Sequence, residues 1–150
     1  MEKRKSARAV VVFNGKLVAM YREKNNRAYY TFPGGGIEEN ESEEDCVKRE
    51  CLEEFGINVM PIKKLYEYED TKTKQSFILC NWVSGELGSG VGEEFSPDRN
   101  RGIYIPMLVD IKSLSKIPLV PNEVATCVFN DYMGAGLENL TEIKHIESDF

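Results

Sequence analysis

Zinc spacing is missing from this sequence: its four cysteines, Cys46, Cys51, Cys80 and Cys127, form no C-x-x-C pair. They read as free thiols of a reducing cytoplasm. Histidine is nearly absent, and the single His145 lies as a bystander in the polar tail "TEIKHIESDF". No apolar run approaches the ~20 residues of a membrane span. The start "MEKRKSARAVVVF" is basic, but its apolar run is only Ala9 to Phe13 and no small-residue cleavage site follows. No signal peptide is therefore expected, and the expected location is cytoplasmic. Positive charge is in deficit, with 19 Lys and Arg against 25 Asp and Glu and a net charge of −6. That argues against a nucleic-acid backbone or an anionic membrane as the main partner. An acidic protein that acts on phosphates needs a cation in between.

What is present fits one domain over residues 1–150. A chain of this length buries roughly 70% of its unfolded surface. Its 41% hydrophobic and 29% charged residues are those of a soluble globule. "ARAVVVF" and "KLVAMY" flank Asn14-Gly15, the strongest short hairpin signal. "YYTFP" predicts a short strand stopped by Pro33, and "GGG" follows without side chains. "INVMPI", "KLYEYED", "TKQSFILCNWVSG" and "GIYIPMLVD" predict further strands. "ELGSGVGEEFSPDRNRG" is a Gly-rich loop between the last two. "PNEVATCVFNDYMGAG" predicts a helix, with Pro121 at its start and Gly134 near its end. There is no regular βαβ alternation, so the expected fold is a mixed sheet with helices packed on it.

The first helix is predicted within "GGGIEENESEEDCVKRECLEEFGI". Ser42 is the expected N-cap, Asp45 sits three residues on, and Gly56 is placed to end the helix. Glu43, Glu44 and Asp45 suit the positive end of the helix dipole. At roughly 100° per residue, Val47, Cys51 and Phe55 form the buried face. Glu50, Glu53 and Glu54 fall beside it on one edge. Glu53 and Glu54 lie in the last turn, where the dipole opposes them by ~0.3–1 kcal/mol each. Like charges three and four apart repel by a few tenths more. A divalent cation removes that conflict, and oxygen-only ligands point to Mg²⁺ or Mn²⁺. The carboxylates by themselves leave both a wet helix face and a metal site open.

Spacing adds more. Gly35, Glu41, Arg49, Glu50, Glu53, Glu54 and Gly56 occupy all seven strict positions of G-x5-E-x7-R-E-U-x-E-E-x-G-U, where U is aliphatic. In this respect the chain resembles the Nudix hydrolases, whose box this is. The flank "YTFPGGGIEENE" is similar to the family's W-x-L-P-G-G-G-x-E-x-G-E, with Tyr30 in the Trp place. Cys51 stands where a larger aliphatic is usual, and Asn40 where Gly is common; Asn tolerates φ > 0.

The resemblance implies an α/β class with the Nudix fold, an α/β/α sandwich around a mixed β-sheet. It implies Mg²⁺-dependent hydrolysis of a nucleoside diphosphate linked to another moiety, with Mn²⁺ a possible substitute. By carry-over, Glu53, Glu54 and the Gly34 carbonyl are metal ligands. Glu50 is a ligand or the general base. Glu94, with Glu93 beside it, is the candidate for a further ligand or base from a later loop. Arg49 pairs with Glu41 and holds the loop, Gly35 and Gly56 shape it, and Arg22 meets substrate phosphate. Substrate signatures for ADP-ribose, dinucleoside polyphosphates and NADH are not evident, which favours nucleoside triphosphates or a small nucleotide derivative. The expected partner is such a small molecule rather than a nucleic acid or a membrane, and a homodimer is compatible with it. Tyr29, Tyr30, Phe77, Trp82, Tyr104, Phe129 and Tyr132 are aromatics that could stack a base, although aromatics at strand spacing are mostly core. The alternative is a non-catalytic nucleotide-binding sensor on the same fold.

Overall fold

The computed structural model describes residues 2–89 and 102–149. The chain opens with β1 (Arg4–Phe13), β2 (Lys16–Lys24), β3 (Arg27–Thr31) and β4 (Gly34–Gly36). Helix α1 (Glu43–Glu50) continues into a π-helical turn at Cys51–Phe55. Then come β5 (Ile57–Glu69), β6 (Thr73–Gly85), β7 (Ile103–Asp110), a 3₁₀ segment (Ile111–Lys116), β8 (Leu119–Val120), α2 (Asn122–Met133) and β9 (Lys144–Glu147). Among the described residues the strands run in the order β8-β3-β2-β1-β6-β5-β9, with β4 on β1 and β7 on β2. The β1/β6, β3/β8 and β5/β9 pairs are parallel and the rest antiparallel, so the sheet is mixed.

Strand β1 shows why an unbroken apolar run stands there. Ala7, Ala9 and Val11 face one core, with Cys46, Val47, Cys51 and Phe55 of the first helical segment. Val10 faces the other, with Val124, Ala125 and Val128 of α2. Successive side chains of a strand point to opposite faces, so a strand covered by a helix on each side has no polar face. This is the expected α/β/α sandwich. Asn14 and Gly15 both take positive φ, 51° and 75°, as a type I′ turn requires.

Several elements differ from the sequence expectation. "INVMPI" and "KLYEYED" are one strand, whose register slips on either side of Pro61; irregular pairing accommodates a residue with no N–H to donate. The three glycines are not a bare loop but a short strand aligned with Ser6, Ala7 and Arg8. The polar tail contributes β9, with His145 opposite Glu67. It lacks alternation because it lies along an edge, mostly exposed. The four cysteines are free, and Cys46, Cys51 and Cys80 are buried. Among the described residues no helix is long and apolar enough to cross a membrane.

Candidate active site

The acidic stretch folds from its cap onward. Ser42 Oγ accepts from the Asp45 amide at 3.0 Å, so one of the unsatisfied donors of the helix start is met. Asn40 takes φ 65° before it. The regular α-helix ends at Glu50, and Gly56 closes the π-turn in the left-handed region at φ 77°. The wider turn departs from the 100° spacing just where the carboxylates follow one another. π-turns recur at functional sites.

Arg49 ties the loop to the helix. Its Nε and Nη2 donate to the two Glu41 carboxylate oxygens at 2.8 and 3.0 Å, the forked geometry that makes such pairs strong. Nη2 also donates to the Gly36 carbonyl at 3.2 Å, and Nη1 to Glu50 Oε1 at 3.1 Å. Glu41 in turn accepts from the Glu38 amide at 3.0 Å. The Arg49 guanidinium, helped by that amide, lowers the Glu41 carboxyl to about 2. The Glu41 hydrogen bond raises Arg49. Cys46 donates weakly to the Gly35 and Gly36 carbonyls at 3.6 Å, and burial pushes its thiol up to about 11.

Each glycine of β4 makes room for a neighbour. A β-carbon on Gly34, at φ 147°, would stand 2.2 Å from the Ala7 carbonyl oxygen and 2.8 Å from Arg8 Cδ. On Gly35 it would stand 2.5 Å from Glu50 Oε1, and on Gly36 3.1 Å from Arg4 Nη2. Glycine is the residue that lets a backbone be approached this closely. Glu50, only 8% exposed, therefore lies against the loop.

Glu50, Glu54 and all three glycines line one cleft of about 280 Å³, together with Arg4, Arg8 and Arg22. Glu53 is not among its lining residues; its side chain is 49% exposed and stands 3.5 Å from Arg49 Nη1. Arg22 is held by aromatic rings, its guanidinium 4.6 Å from the Tyr104 ring centre and 5.6 Å from that of Tyr29. Its Nη2 donates to Tyr104 Oη at 3.1 Å. Its buried Nε has no hydrogen-bond partner among the described residues. Of the aromatics considered from sequence, Tyr104 lines this cleft. Phe77 is fully buried, Phe129 and Tyr132 pack on the core, and Trp82 lies against Phe13 with ring centres 5.5 Å apart and planes tilted by 57°. Glu93 and Glu94 lie outside the described residues.

Sequence reading missed Arg4 and Arg8. For Arg8 the signal was available, because a charged residue inside the apolar run "ARAVVVF" is costly unless it is used; Arg4, exposed at the polar start of β1, gave none. Arg8 Nη1 donates to the carbonyls of Phe32 and Gly34, both at 3.1 Å. Burial lowers the Arg8 guanidinium, and Glu54 and Glu50 oppose that shift. A larger cleft, about 430 Å³, opens between Glu43, Lys64, Glu67 and His145. Lys64 already pairs with Glu43 at 2.9 Å and Glu67 at 3.5 Å, and Glu50 and Glu54 are not part of it.

The NUDIX domain family profile matches residues 3–101. A protein of Pasteurella multocida (strain Pm70) described as an RNA pyrophosphohydrolase is 35% identical, over 93% of this chain and 81% of its own length. The crystal structure of an ADP-ribose pyrophosphatase from Streptococcus suis superposes with a TM-score of 0.67 at 18% identity, covering 96% of this chain and 99% of that one. A Nudix hydrolase from Nitrosomonas europaea gives 0.73 at 18% identity, over 94% and 97%. Profile, relative and fold converge on the reading of the box, and this chain belongs to the Nudix family of hydrolases, which act on pyrophosphate bonds.

Proposed function

We propose that this protein is a Mg²⁺-dependent pyrophosphohydrolase that cleaves a nucleoside diphosphate linked to another moiety by attack of water on phosphorus. The observation that carries the reading is one cleft holding Glu50, Glu54 and the glycine strand beside Arg4, Arg8 and Arg22. Negative groups suited to a cation and positive groups suited to phosphate thus share one small space.

The donor set fits magnesium. It consists of oxygens, from Glu50, Glu54, Glu53 at the rim and the Gly34 carbonyl. Among the described residues no three acids, thiols or imidazoles form a preformed cage. Mg²⁺ suits that, because it keeps waters and usually joins one or two carboxylates to substrate phosphates. When bound, it would neutralise phosphate oxygens and make a water more acidic, and Mn²⁺ would substitute. The protein's own part is positional. Arg49 fixes Glu50 and Glu41, Arg22 meets phosphate, and Glu50, Glu93 or Glu94 takes the proton of the attacking water.

Nucleoside triphosphates or small nucleotide derivatives are the favoured substrates. The P. multocida relative, described as an RNA pyrophosphohydrolase, adds RNA as a second candidate substrate. The net charge of −6 disfavours extended contact with the RNA backbone. The test is a nucleotide panel with Mg²⁺, read as phosphate or pyrophosphate release. Turnover of at least one member, abolished by chelation, is expected. Tight binding of one compound without turnover of any would replace this reading with that of a nucleotide sensor.

A further inference from the structure

We propose that Glu43 is a positioning residue for the reaction: bonded to Ser76 of β6 and Lys64 of β5, it fixes the roll of α1 on the sheet and so the place of Glu50 in the catalytic cleft. The inference rests on the pyrophosphohydrolase reading and adds to it a residue that lies outside that cleft.

Helix α1 has eight residues, and helices below ~12–15 residues are marginal without tertiary support. Its support comes along one stripe. Glu43, Cys46, Val47 and Glu50 stand at i, i+3, i+4 and i+7, the spacing a helix turns to its core. Cys46 and Val47 are fully buried in the middle of that stripe, and a carboxylate stands at each end. Seven steps of roughly 100° bring Glu50 back to within about 20° of Glu43 around the axis. Whatever fixes the direction of one acid therefore fixes that of the other.

The apolar middle does not set that direction, because burial of apolar surface is non-directional. Polar bonds do, and they come from two sides. On one side Arg49 and Cys46 donate to carbonyls of the glycine strand. On the other, Ser76 Oγ donates to Glu43 Oε2, and Lys64 Nζ pairs with Glu43 Oε1 at 2.9 Å. Among the described residues these are the side-chain bonds that tie α1 to β5 and β6. Ser76 is only 8% exposed, so water competes little for its bond. Both oxygens of Glu43 are engaged, whereas Glu44 and Asp45 beside it are exposed. The helix dipole favours all three acids alike. It does not account for the two strand partners of Glu43.

The leverage is large for so small a motion. Helix side chains reach ~5–6 Å from the axis, so a roll of about 10° displaces the Glu50 carboxylate by roughly 1 Å. A shift of that size at a reacting centre costs about 10²-fold in rate. Glu43 lines the larger cleft with Lys64 and Ser76, so its effect on the rate passes through the helix.

The experiment measures kcat and KM on a nucleotide that the wild type turns over, well below Tm, with folding checked by circular dichroism. Glu43→Ala should lower kcat at least tenfold and change KM less than threefold. Ser76→Ala should lower kcat at least threefold, and the double variant should be no slower than Glu43→Ala, because both changes release one bond. Glu44→Ala removes the same charge from the same turn and should keep wild-type kcat. Glu43→Asp keeps the charge but shortens the reach by about 1.5 Å, and should still lose at least threefold. Glu43→Gln/Lys64→Met keeps an acceptor for Ser76 without an unpaired lysine, and should return kcat to within threefold of wild type. If Glu43→Ala does not fold, Glu43→Asp and Ser76→Ala carry the conclusion. Mn²⁺ alone, followed by electron paramagnetic resonance, gives a readout without turnover: Glu43→Ala should weaken its binding at least threefold and Glu44→Ala should not. Wild-type kcat in Glu43→Ala, or equal losses in Glu43→Ala and Glu44→Ala, would overturn the positioning role while leaving the pyrophosphohydrolase intact. A wild type that binds Mn²⁺ but turns over no nucleotide would count against the hydrolase reading, and the Mn²⁺ shift would then decide the role of Glu43. A wild type that does neither would overturn both.

Discussion

Gly35→Ala is the sharpest probe of how the loop and helix fit together. The new methyl would stand 2.5 Å from Glu50 Oε1 and 2.9 Å from its Cδ. Ordinary contacts need ~3.5 Å, so the carboxylate must retreat by roughly 1 Å. It has little freedom to do so, because Glu50 is 8% exposed and Arg49 Nη1 holds its Oε1 at 3.1 Å. Overpacking of this kind costs ~1–3 kcal/mol. At ~2–4 °C per kcal/mol for a chain of this size, Tm should fall by roughly 2–12 °C. A 1 Å displacement of a group at the reacting centre costs about 10²-fold in rate, so kcat should fall by that order. Calorimetry and initial rates measure the two effects. Shortening the acid relieves the collision, so Gly35→Ala/Glu50→Asp should be more stable than Gly35→Ala alone, a coupling read by a double-mutant cycle. Wild-type activity in Gly35→Ala, or no recovery of stability in the double variant, would refute the collision.

Glu53→Gln, at the rim beside Arg49, should lower kcat by about 10² with the fold intact; full activity by initial rates would remove Glu53 from the site. The Glu41 carboxyl lies at about 2 in the folded chain against an ordinary 4.5. The unfolded chain therefore takes up the proton first. The pair's stabilisation is full above the ordinary value and is lost as pH falls through 4.5 toward 2. Denaturant titrations of Glu41→Gln should show a flatter acid limb in that window and lower stability at pH 7. Tyr66, fully buried, donates to Asp131 Oδ2 at 2.8 Å and ties β5 to α2. Asp131 keeps Lys144 at 2.6 Å when the hydroxyl is removed, so Tyr66→Phe should cost only ~1–2 kcal/mol by urea titration. A loss above 4 kcal/mol would show that Lys144 does not compensate.

Local chemistry was legible in the sequence. Asn14-Gly15 dictates its own turn, Ser42 its cap and Gly56 its left-handed stop, each with nearest neighbours only. The Glu41–Arg49 pair is implied by the resemblance to the Nudix box, and the two side chains do meet. What could not be read depends on partners far along the chain. Residues 144–147 become a strand only because β5 offers an edge, and Gly34–Gly36 only because Arg8, Ala7 and Ser6 lie opposite. The π-turn is invisible to any period assumed constant, and it separates Glu53 from Glu50 and Glu54. Arg8 escaped because a strand read for its apolar residues hides its charged ones.

The central position of β1 also orders events in time. Its turn to β2 closes two residues after the strand ends, but its other edge pairs Arg4 with Thr73 and Val11 with Cys80. Closing so long an intervening loop costs chain entropy before any contact repays it, and such non-local pairings form slowly. During synthesis the box and its glycine strand are therefore complete before β6 exists to support β1 from its other side. The hairpin, the pairing of β1 with the glycine strand and the first helix can form early, while the parallel pairing that completes the centre of the sheet must wait for residues 73–80.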